Sequence, residues 1–376
     1  MFSRNAVGTI DDTCPPTSGE GSTTGYSTKG VYGLKKCHDS EEAVADIVFV
    51  HGLTGNRETT WTSKNGVFWP VHLLKNDVPR TRIFTFGYDA DVVHFWAVAS
   101  QNRIRNHATN LVNALVQLRE RTDTEERPIL FVTHSLGGLV FEDAMIASRN
   151  SAEPHIRRIY DATYGVCFLA TPHCGSALAN WASVLGQITG VVKRTDASLL
   201  RALQPESEVL ALIQTDFHNM VRSRQDQGRP ALRITCFYEE LPVRGIGEIV
   251  PKHSAILPAY NAIGIHNNHM DMPKFSSDED PGYLSVSTEI LRWVRELQRS
   301  TAAQQPLHQG NVGAQNPVPG PALYGGMPGW AGQAPFNSVP PPGLVWIAGD
   351  SDATPVFAVT VTGPPALYWE CDDGDD

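Results

Sequence analysis

The chain has 376 residues, of which 41% are hydrophobic and 19% charged, and its formal net charge is −10. The apolar share is enough to bury a core, which excludes a wholly disordered chain. The acidic balance argues against a nucleic-acid-binding protein, because such a protein presents a basic face to the phosphates. The sequence contains no run of about 18 apolar residues, so we expect no transmembrane helix.

The two ends of the sequence lack the periodicity of folded elements. Residues 1–30 are rich in Ser, Thr, Gly and Pro and predict a disordered arm without a secretory signal. Residues 299–376 are rich in Pro and Gly, so we expect a largely disordered tail that buries too little apolar surface to offset its backbone entropy. Pro319–Pro342 is compatible with a polyproline ligand, but a passive tail is the favoured interpretation.

The six cysteines lie far apart, and no two of them form a CxxC pair. Free thiols in a reducing compartment are therefore the favoured interpretation, with the cytosol as the expected location. The histidines and cysteines show no zinc-ligand spacing, and neither a GxxxxGK[ST] loop nor a GxGxxG after a strand is present. We expect neither a metal nor another cofactor.

Between the two ends, over residues 31–298, short apolar runs alternate with stretches of helical period. The apolar runs predict strands at Asp46–Val50, Arg82–Phe86, Pro128–Thr133, Gly165–Ala170 and Leu232–Tyr238. Apolar residues at steps of three and four predict helices over Ile104–Leu118, Leu136–Arg149 and Val286–Leu297. This alternation predicts an α/β fold with a mostly parallel sheet and helices on both faces.

Residues 174–230 are inserted between two predicted strands and contain a helical pattern that includes Phe217 and Met220. We expect them to form a helical cap over the functional site. Aromatic residues near the second strand, among them Phe84 and Trp96, suggest either an acyl pocket or a buried core, and the core is the favoured interpretation. Asp89 is expected to orient a loop.

The third strand runs directly into the sequence THSLGG at 133–138, and a helix follows at once. This arrangement is typical of a nucleophile elbow, in which Ser135 occupies a strained turn at a helix N-terminus. The turn requires small neighbours, and Gly137 and Gly138 meet that need on the helix side. Thr133 replaces the usual glycine on the strand side, which narrows the gap between strand and helix without blocking it.

The first strand ends in HGLTG at 51–55, which places glycines in the loop that follows. In acyl-transfer enzymes, a loop after an earlier strand supplies a backbone N–H to the oxyanion hole. We therefore predict that the N–H groups of Leu53 and Leu136 form this hole. His51 is interpreted as a structural residue that supports the loop.

A triad in such a fold runs in the chain order serine, acid, histidine. The strand Leu232–Tyr238 is followed by Glu239, our first choice for the acid, and by Glu240, the alternative. The histidine is expected in a later loop before the last helix, where His269 is preferred to His266. His269 would take the proton of the serine, and the acid would orient the imidazole.

Two further residues near these candidates are given minor roles. His253 lies too close to the acid along the chain and is predicted to be structural. Asp271 is an alternative partner for His269, but its separation of two residues makes the geometry poor.

Six stretches of the chain closely resemble the serine esterase/lipase branch of the α/β-hydrolase superfamily, including the N-terminal hydrolase domains of fungal receptor-like proteins. They are VFVHGLTGNRETTW at 48–61, IFTFGYDADV at 83–92, FVTHSLGGLV at 131–140, FLATPHCGSALANW at 168–181, CFYEELP at 236–242 and NNHMDMPKFSSDEDPGY at 267–283. The resemblance implies an α/β-hydrolase fold over about residues 30–298. It also implies triad roles for Ser135, Glu239 and His269.

Two functional hypotheses follow from these patterns. The first is a serine hydrolase that cleaves an ester, lipid or thioester substrate through an acyl-serine. The second is a catalytically weak α/β-hydrolase domain that acts as a signalling or scaffold module. Convergence of the serine, acid and histidine within hydrogen-bond reach, together with a reactive serine, would favour the first hypothesis.

Overall fold

Within the described residues, seven strands form one sheet in the order β1-β3-β2-β4-β5-β6-β7. Their bounds are β1 Gly33–His38, β2 Ala45–Val50, β3 Thr81–Gly87, β4 Ile129–His134, β5 Thr163–Leu169, β6 Arg233–Glu239 and β7 Asn261–Ile265. The pairing of β1 with β3 is antiparallel, and the other pairings are parallel. This mostly parallel sheet confirms the α/β fold class expected from the sequence.

The structure is a computed structural model that describes residues 32–53, 55–88, 90, 101–173 and 204–304. Its longer helices and the short α5 are α1 Gln101–Arg121, α2 Leu136–Asn150, α3 Pro154–Ala162, α4 Gln204–Asp226, α5 Lys252–Ala255 and α6 Pro281–Gln304. Short helical turns at Thr59–Trp61, Pro70–Leu74 and Lys75–Asp77 precede β3. None of the described helices has the length and apolar character needed to cross a membrane.

Strand β5 shows how helices cover both faces of the sheet. Phe168 packs against Phe141 of α2 and Phe217 of α4, with ring centroids 5.7 and 6.1 Å apart. Gly165 instead faces α6, because a Cβ at this position would lie 3.0 Å from the Trp293 ring. Residues three apart on a strand point to opposite faces. Helix α6 therefore lies on the face opposite α2 and α4.

The register of the parallel strands brings their carboxyl ends to one edge of the sheet. Val50 of β2 lies opposite Thr133 of β4, and Leu169 of β5 lies opposite both His134 of β4 and Phe237 of β6. Loops that leave this edge therefore start close together. Ligands of open α/β sheets bind at such an edge.

The opposite edge of the sheet, where the amino ends of the parallel strands lie, contains a buried ion cluster. It surrounds Asp46, the second residue of β2. Its carboxylate accepts two hydrogen bonds from Arg82 at 2.7 and 2.8 Å and one from Arg119 at 2.9 Å. Arg127 lies 3.5 Å away. Several donors converge on one carboxylate here, which compensates the cost of burying the charges.

Several elements lie outside the pattern that the sequence predicts. The edge strand β1 was missed because it is half-exposed and carries Lys35 and Lys36, and lysines are common on edge strands. Strand β7 was missed because it has only five residues, one of which is Gly264. Helix α3 was missed because it is short and buries only Ile159 and Tyr160.

The described part of the predicted cap, residues 204–226, forms α4. This helix packs beside α2 on a face of the sheet, and the cap over the site stays a prediction. The rest of the insertion, 174–203, lies outside the described residues. So do the N-terminal arm 1–30, most of the predicted tail, Asp89 and Trp96. Helix α6 continues to Gln304, past the predicted domain end at 298, and no proline occurs between its first residue, Pro281, and Pro306.

Candidate active site

Ser135 lies at the turn between β4 and α2, at the carboxyl edge of the sheet. Its backbone has φ 54° and ψ −126°, a conformation that costs energy for a residue with a side chain. The turn is fixed from the neighbouring strand, since the Ser135 N–H donates to the Leu169 carbonyl at 2.9 Å. Such strain is typical of a nucleophile elbow that raises its serine above the sheet.

The residues around the turn explain why glycine is needed on one side only. A Cβ at Gly137 would lie 2.4 Å from the Val50 carbonyl oxygen, and a Cβ at Gly138 would lie 2.1 Å from Thr171 Oγ1. Thr133, in contrast, is accommodated because its hydroxyl donates to the Cys167 carbonyl at 3.4 Å. The sheet therefore accommodates a threonine at the first glycine position of GxSxG.

His269 lies in the loop between β7 and α6, and its side chain reaches the serine. Its Nε2 is 3.0 Å from Ser135 Oγ, and both residues are buried. The backbone of His269 is held in turn by His134, whose Nε2–H donates to the His269 carbonyl at 3.0 Å. Burial lowers the pKa of His134 well below its usual range, so this ring is a neutral donor.

Glu239 ends β6 and faces the other nitrogen of His269. Its Oε2 lies 3.2 Å from His269 Nδ1, and both side chains are almost fully buried. The angle is not that of a hydrogen bond, and among the described residues neither atom has another hydrogen-bond partner. The second oxygen, Oε1, accepts the N–H groups of Ile249 and Val250 at 2.6 and 3.0 Å. The carboxylate is thus anchored through one oxygen and directed at the histidine with the other.

The alternative residues form a separate, exposed pair. Glu240 lies 3.2 Å from His266 Nδ1, and the His266 side chain is 79% exposed. Asp271 pairs with Lys64 at 3.1 Å and Lys274 at 3.4 Å instead of orienting a histidine. His253 is exposed on α5. Of the sequence candidates, the structure thus brings Ser135, His269 and Glu239 together.

The loop after β2 approaches the serine closely. A Cβ at Gly52 would lie 2.8 Å from Ser135 Cβ, so only glycine permits this contact. Leu53 follows in the loop, and Leu136 begins α2. Within the described residues, neither of their N–H groups has a hydrogen-bond acceptor. Two unpaired backbone donors next to a serine at a helix N-terminus are suited to binding an oxyanion.

His51 holds this loop through hydrogen bonds, which agrees with the structural role interpreted from the sequence. Its Nδ1–H donates to the Gly52 carbonyl at 2.9 Å, and its Nε2 accepts the N–H of Tyr88 at 3.4 Å. The two rings stack with centroids 4.4 Å apart. Burial lowers the pKa of His51 to about 4, which keeps the ring neutral. Tyr88 is buried as well, in line with the core interpretation of its aromatic neighbours Phe84 and Phe86.

A cavity of about 140 Å³ lies between the β2 loop and the His269 loop. It is lined by Leu53, Gly55, Thr59, Thr60, His134, Met270, Pro273 and Lys274. The hydroxyl of Thr60 is buried and has no hydrogen-bond partner among the described residues. The cavity adjoins the predicted oxyanion donor Leu53, so a group attached to the reacting carbonyl would lie near it.

Sequence reasoning missed two parts of this site. His134 was treated only as part of the elbow, yet it fixes the backbone of His269. The anchoring of Glu239 by Ile249 and Val250 was also missed, because backbone donors ten residues away along the chain leave no trace in side-chain identity. Within the described residues, no group of three His, Cys, Asp or Glu side chains is placed to hold a metal ion.

In a comparison with protein families, residues 40–216 match the family model described as "Putative serine esterase (DUF676)". The match includes the β2 loop and Ser135, and it confirms the resemblance seen in the sequence motifs. It supports a hydrolase of the serine esterase type. Glu239 and His269 lie beyond the matched residues.

Curated relatives are similar over a longer range. Protein SERAC1 of Bos taurus is 26% identical over 267 residues, and Protein SERAC1 of Homo sapiens is 25% identical over the same length. Each alignment covers 65% of this chain and 38% of the relative. The chain therefore spans less than half of the length of these relatives.

Several solved structures align with most of the chain at low identity. A putative aryl esterase from Burkholderia cenocepacia aligns with a TM-score of 0.38 and 14% identity, covering 71% of this chain and 94% of the other. Alpha/beta hydrolase domain-containing protein 10 from mouse aligns with a TM-score of 0.38 and 14% identity, covering 70% and 94%.

Proposed function

We propose that this chain, whose residues 40–216 match a serine esterase family model, hydrolyses a carboxylic ester through an acyl-serine intermediate. Ser135 is the nucleophile, His269 the general base and acid, and Glu239 the residue that orients the imidazole. The observation that carries the proposal is the 3.0 Å contact between His269 Nε2 and Ser135 Oγ at a strained strand–helix turn. A base within hydrogen-bond reach of a serine is the geometry needed for nucleophilic catalysis.

The reaction proceeds in two steps. Ser135 Oγ attacks the ester carbonyl carbon while His269 Nε2 takes its proton, and the same proton then passes to the departing alkoxide oxygen. The acyl group remains on Ser135. Water next attacks the acyl carbonyl, giving its proton to His269, and the acid is released as the proton returns to Ser135.

Glu239 stabilises the charged imidazole that forms in both steps. Its Oε2 lies 3.2 Å from His269 Nδ1, close enough to stabilise the positive charge that the ring gains. Its Oε1 is fixed by two backbone N–H groups, so the carboxylate does not need to be ordered during the reaction. Pre-ordered charge of this kind lowers the cost of reaching the transition state.

The N–H groups of Leu53 and Leu136 would bind the negative oxygen of the tetrahedral intermediate. Gly52 supports this role because it allows the β2 loop to touch the serine. Removing one such donor typically costs about 10²–10³ in kcat. The substrate we propose is a small-molecule acyl ester or lipid, and the cytosolic location predicted from the cysteines stays a prediction.

Labelling with a fluorophosphonate probe tests the activated serine directly. We expect the purified wild type to label and Ser135→Ala and His269→Ala to lose labelling. His266→Ala is the matched control: it removes a histidine three residues away that pairs with a glutamate in the same manner, but on the exposed surface. It should label like the wild type.

Two results would count against the proposal. A folded wild type that does not label would favour the alternative of a signalling or scaffold module. Equal loss of labelling in the His266 and His269 variants would show that the choice of base is wrong. With labelling established, a series of p-nitrophenyl esters of increasing acyl length would define the substrate class.

A further inference from the structure

A second buried histidine–carboxylate pair lies close to the site and has no part in the mechanism above. Glu142 is on α2, the helix that begins after Ser135, and His173 follows β5 in the sequence Thr-Pro-His. Their Oε1 and Nδ1 atoms are 2.9 Å apart, and only 1% and 2% of the side chains are exposed. The pair joins the elbow helix to the loop after β5.

The surroundings of His173 favour the protonated form of its ring. Burial disfavours the protonated ring, but the contacts of His173 with Cys236 and Glu142 outweigh burial and raise the pKa of His173 to about 9. Buried ion pairs contribute little to stability unless their remaining polar atoms are also satisfied. Here Glu142 Oε2 is buried without a hydrogen-bond partner among the described residues. Stability alone is therefore a poor explanation for the pair.

The segment that carries His173 is connected to the acid of the triad. The His173 N–H donates to the Ser254 carbonyl at 2.7 Å, and Ser254 lies in the short helix α5. The Ser254 N–H in turn donates to the carbonyl of Pro251, the residue before this helix, at 2.8 Å. Pro251 directly follows Val250, one of the two residues whose N–H groups hold Glu239.

The same segment is fixed against the elbow helix at other points. Thr171 lies so close to α2 that a Cβ at Gly138 would meet its hydroxyl at 2.1 Å. The Pro172 carbonyl accepts a hydrogen bond from Gln214 of α4 at 3.0 Å. Ala170, which begins the segment, has a φ of 45° that is uncommon for alanine. The segment 170–173 is thus a rigid link between α2 and the loop that anchors the acid.

We propose that Glu142 and His173 are positioning residues that set the distance between the elbow serine and the loop holding Glu239. The inference rests on the function proposed above, because it concerns the same triad. The Glu239–His269 contact is 3.2 Å long and not yet aligned as a hydrogen bond, so a small displacement of the acid loop would weaken it. Misplacement of about 1 Å can cost about 10²-fold in rate.

The decisive variant replaces both members of the pair by apolar residues, Glu142→Met together with His173→Leu. Apolar replacement of a buried ion pair is often neutral or stabilising, so the double variant is expected to keep the wild-type melting temperature. Its fluorophosphonate labelling rate and its kcat on p-nitrophenyl butyrate should fall about 10- to 100-fold. Its KM should change less than about twofold, because the pair does not line the cavity beside the serine.

A conservative variant and a matched control separate positioning from general loss of packing. His173→Asn keeps a donor near the place of Nδ1, and it should recover most of the labelling rate. Ser148→Ala lies on the same helix α2 and removes two buried hydrogen bonds, to Ile156 at 2.6 Å and from Tyr160 at 2.9 Å. It does not touch the acid loop and should label like the wild type.

The possible outcomes are distinct. Slow labelling by a folded double variant, with His173→Asn and Ser148→Ala near the wild type, supports the inference. A double variant that labels at the wild-type rate overturns it, and so does one that fails to fold, because the pair would then serve the fold and not the site. A wild type that does not label overturns the proposed function itself.

Discussion

At the scale of single residues, burial separates two nearly identical pairs. The chain places two glutamates side by side at 239 and 240, and two histidines three residues apart at 266 and 269. Glu239 and His269 are buried at 3% and 1% exposure, whereas the second pair is exposed to solvent. A carboxylate orients an imidazole more strongly in a water-excluded site, because the effective dielectric constant is lower there.

Replacing each glutamate by glutamine is expected to show this difference in activity. Glu239→Gln keeps an oxygen that can accept from Ile249 and Val250, so the variant should fold. It loses the charge that stabilises the imidazolium, and kcat should fall by about 10²–10⁴. Glu240→Gln changes an exposed pair and should leave kcat within about twofold. Steady-state kinetics on one p-nitrophenyl ester would measure both, and a larger loss in Glu240→Gln would contradict the assignment.

The unpaired hydroxyl of Thr60 gives a prediction about stability. A buried hydroxyl without a partner carries its desolvation cost uncompensated, so Thr60→Val should raise the free energy of unfolding by about 1 kcal/mol. Thr81→Val is the matched control, since the Thr81 hydroxyl donates to the Val78 carbonyl at 2.8 Å and its loss should cost about 1 kcal/mol. Urea unfolding compares the two. A destabilised Thr60→Val would show that its hydroxyl is in fact paired.

At the scale of elements, the strands in the buried interior of the sheet could be predicted from the sequence, and the outermost strands β1 and β7 could not. Strands such as β2 and β4 are buried on both faces, so they are continuous apolar runs. The edge strand β1 is held by pairing with β3, and its side chains do not reveal that contact. For the site, the serine and its elbow were predictable because both depend on local sequence. The acid's anchor at Ile249 and Val250 depends on a tertiary contact of the backbone.

The elbow depends on the close approach of α2 to β2, and Gly137 is the point of contact. In Gly137→Ala the new Cβ would lie 2.4 Å from the Val50 carbonyl oxygen and 2.5 Å from that of His51, and neither backbone oxygen can move without disturbing the sheet. We expect a loss of about 3 kcal/mol or more in the free energy of unfolding. Gly165→Ala meets side-chain carbons at 3.0 Å and should cost less. Urea unfolding of both variants is the measurement, and equal losses would contradict this argument.

At the scale of the whole molecule, charge is arranged differently at the two edges of the sheet. The edge opposite the site buries Asp46 against Arg82 and Arg119, and burial lowers the pKa of Arg119 to about 10. The site edge instead buries histidines, whose pKa in an unfolded chain is about 6.5. His51 and His134 are held neutral, whereas His173 is held protonated. The pH dependence of stability should therefore originate mainly at the site edge.

This arrangement predicts a maximum of stability near pH 6.5. Burial lowers the pKa of His51 to about 4 from 6.5 in the unfolded chain, so the unfolded chain binds more protons below pH 6.5 and stability is lost as the pH falls towards 4. The pKa of His173 is raised from 6.5 to about 9, so its contribution is complete below pH 6.5 and is lost as the pH rises through about 9.

Urea unfolding between pH 4 and pH 10 would measure this profile. The Glu142→Met/His173→Leu double variant should lose the alkaline decline and keep the acid one, because it removes only the raised histidine. A wild-type stability that stays constant between pH 4.5 and 6.5 would contradict the neutral state of the buried His51. An alkaline decline that persists unchanged in the double variant would place its origin outside the Glu142–His173 pair.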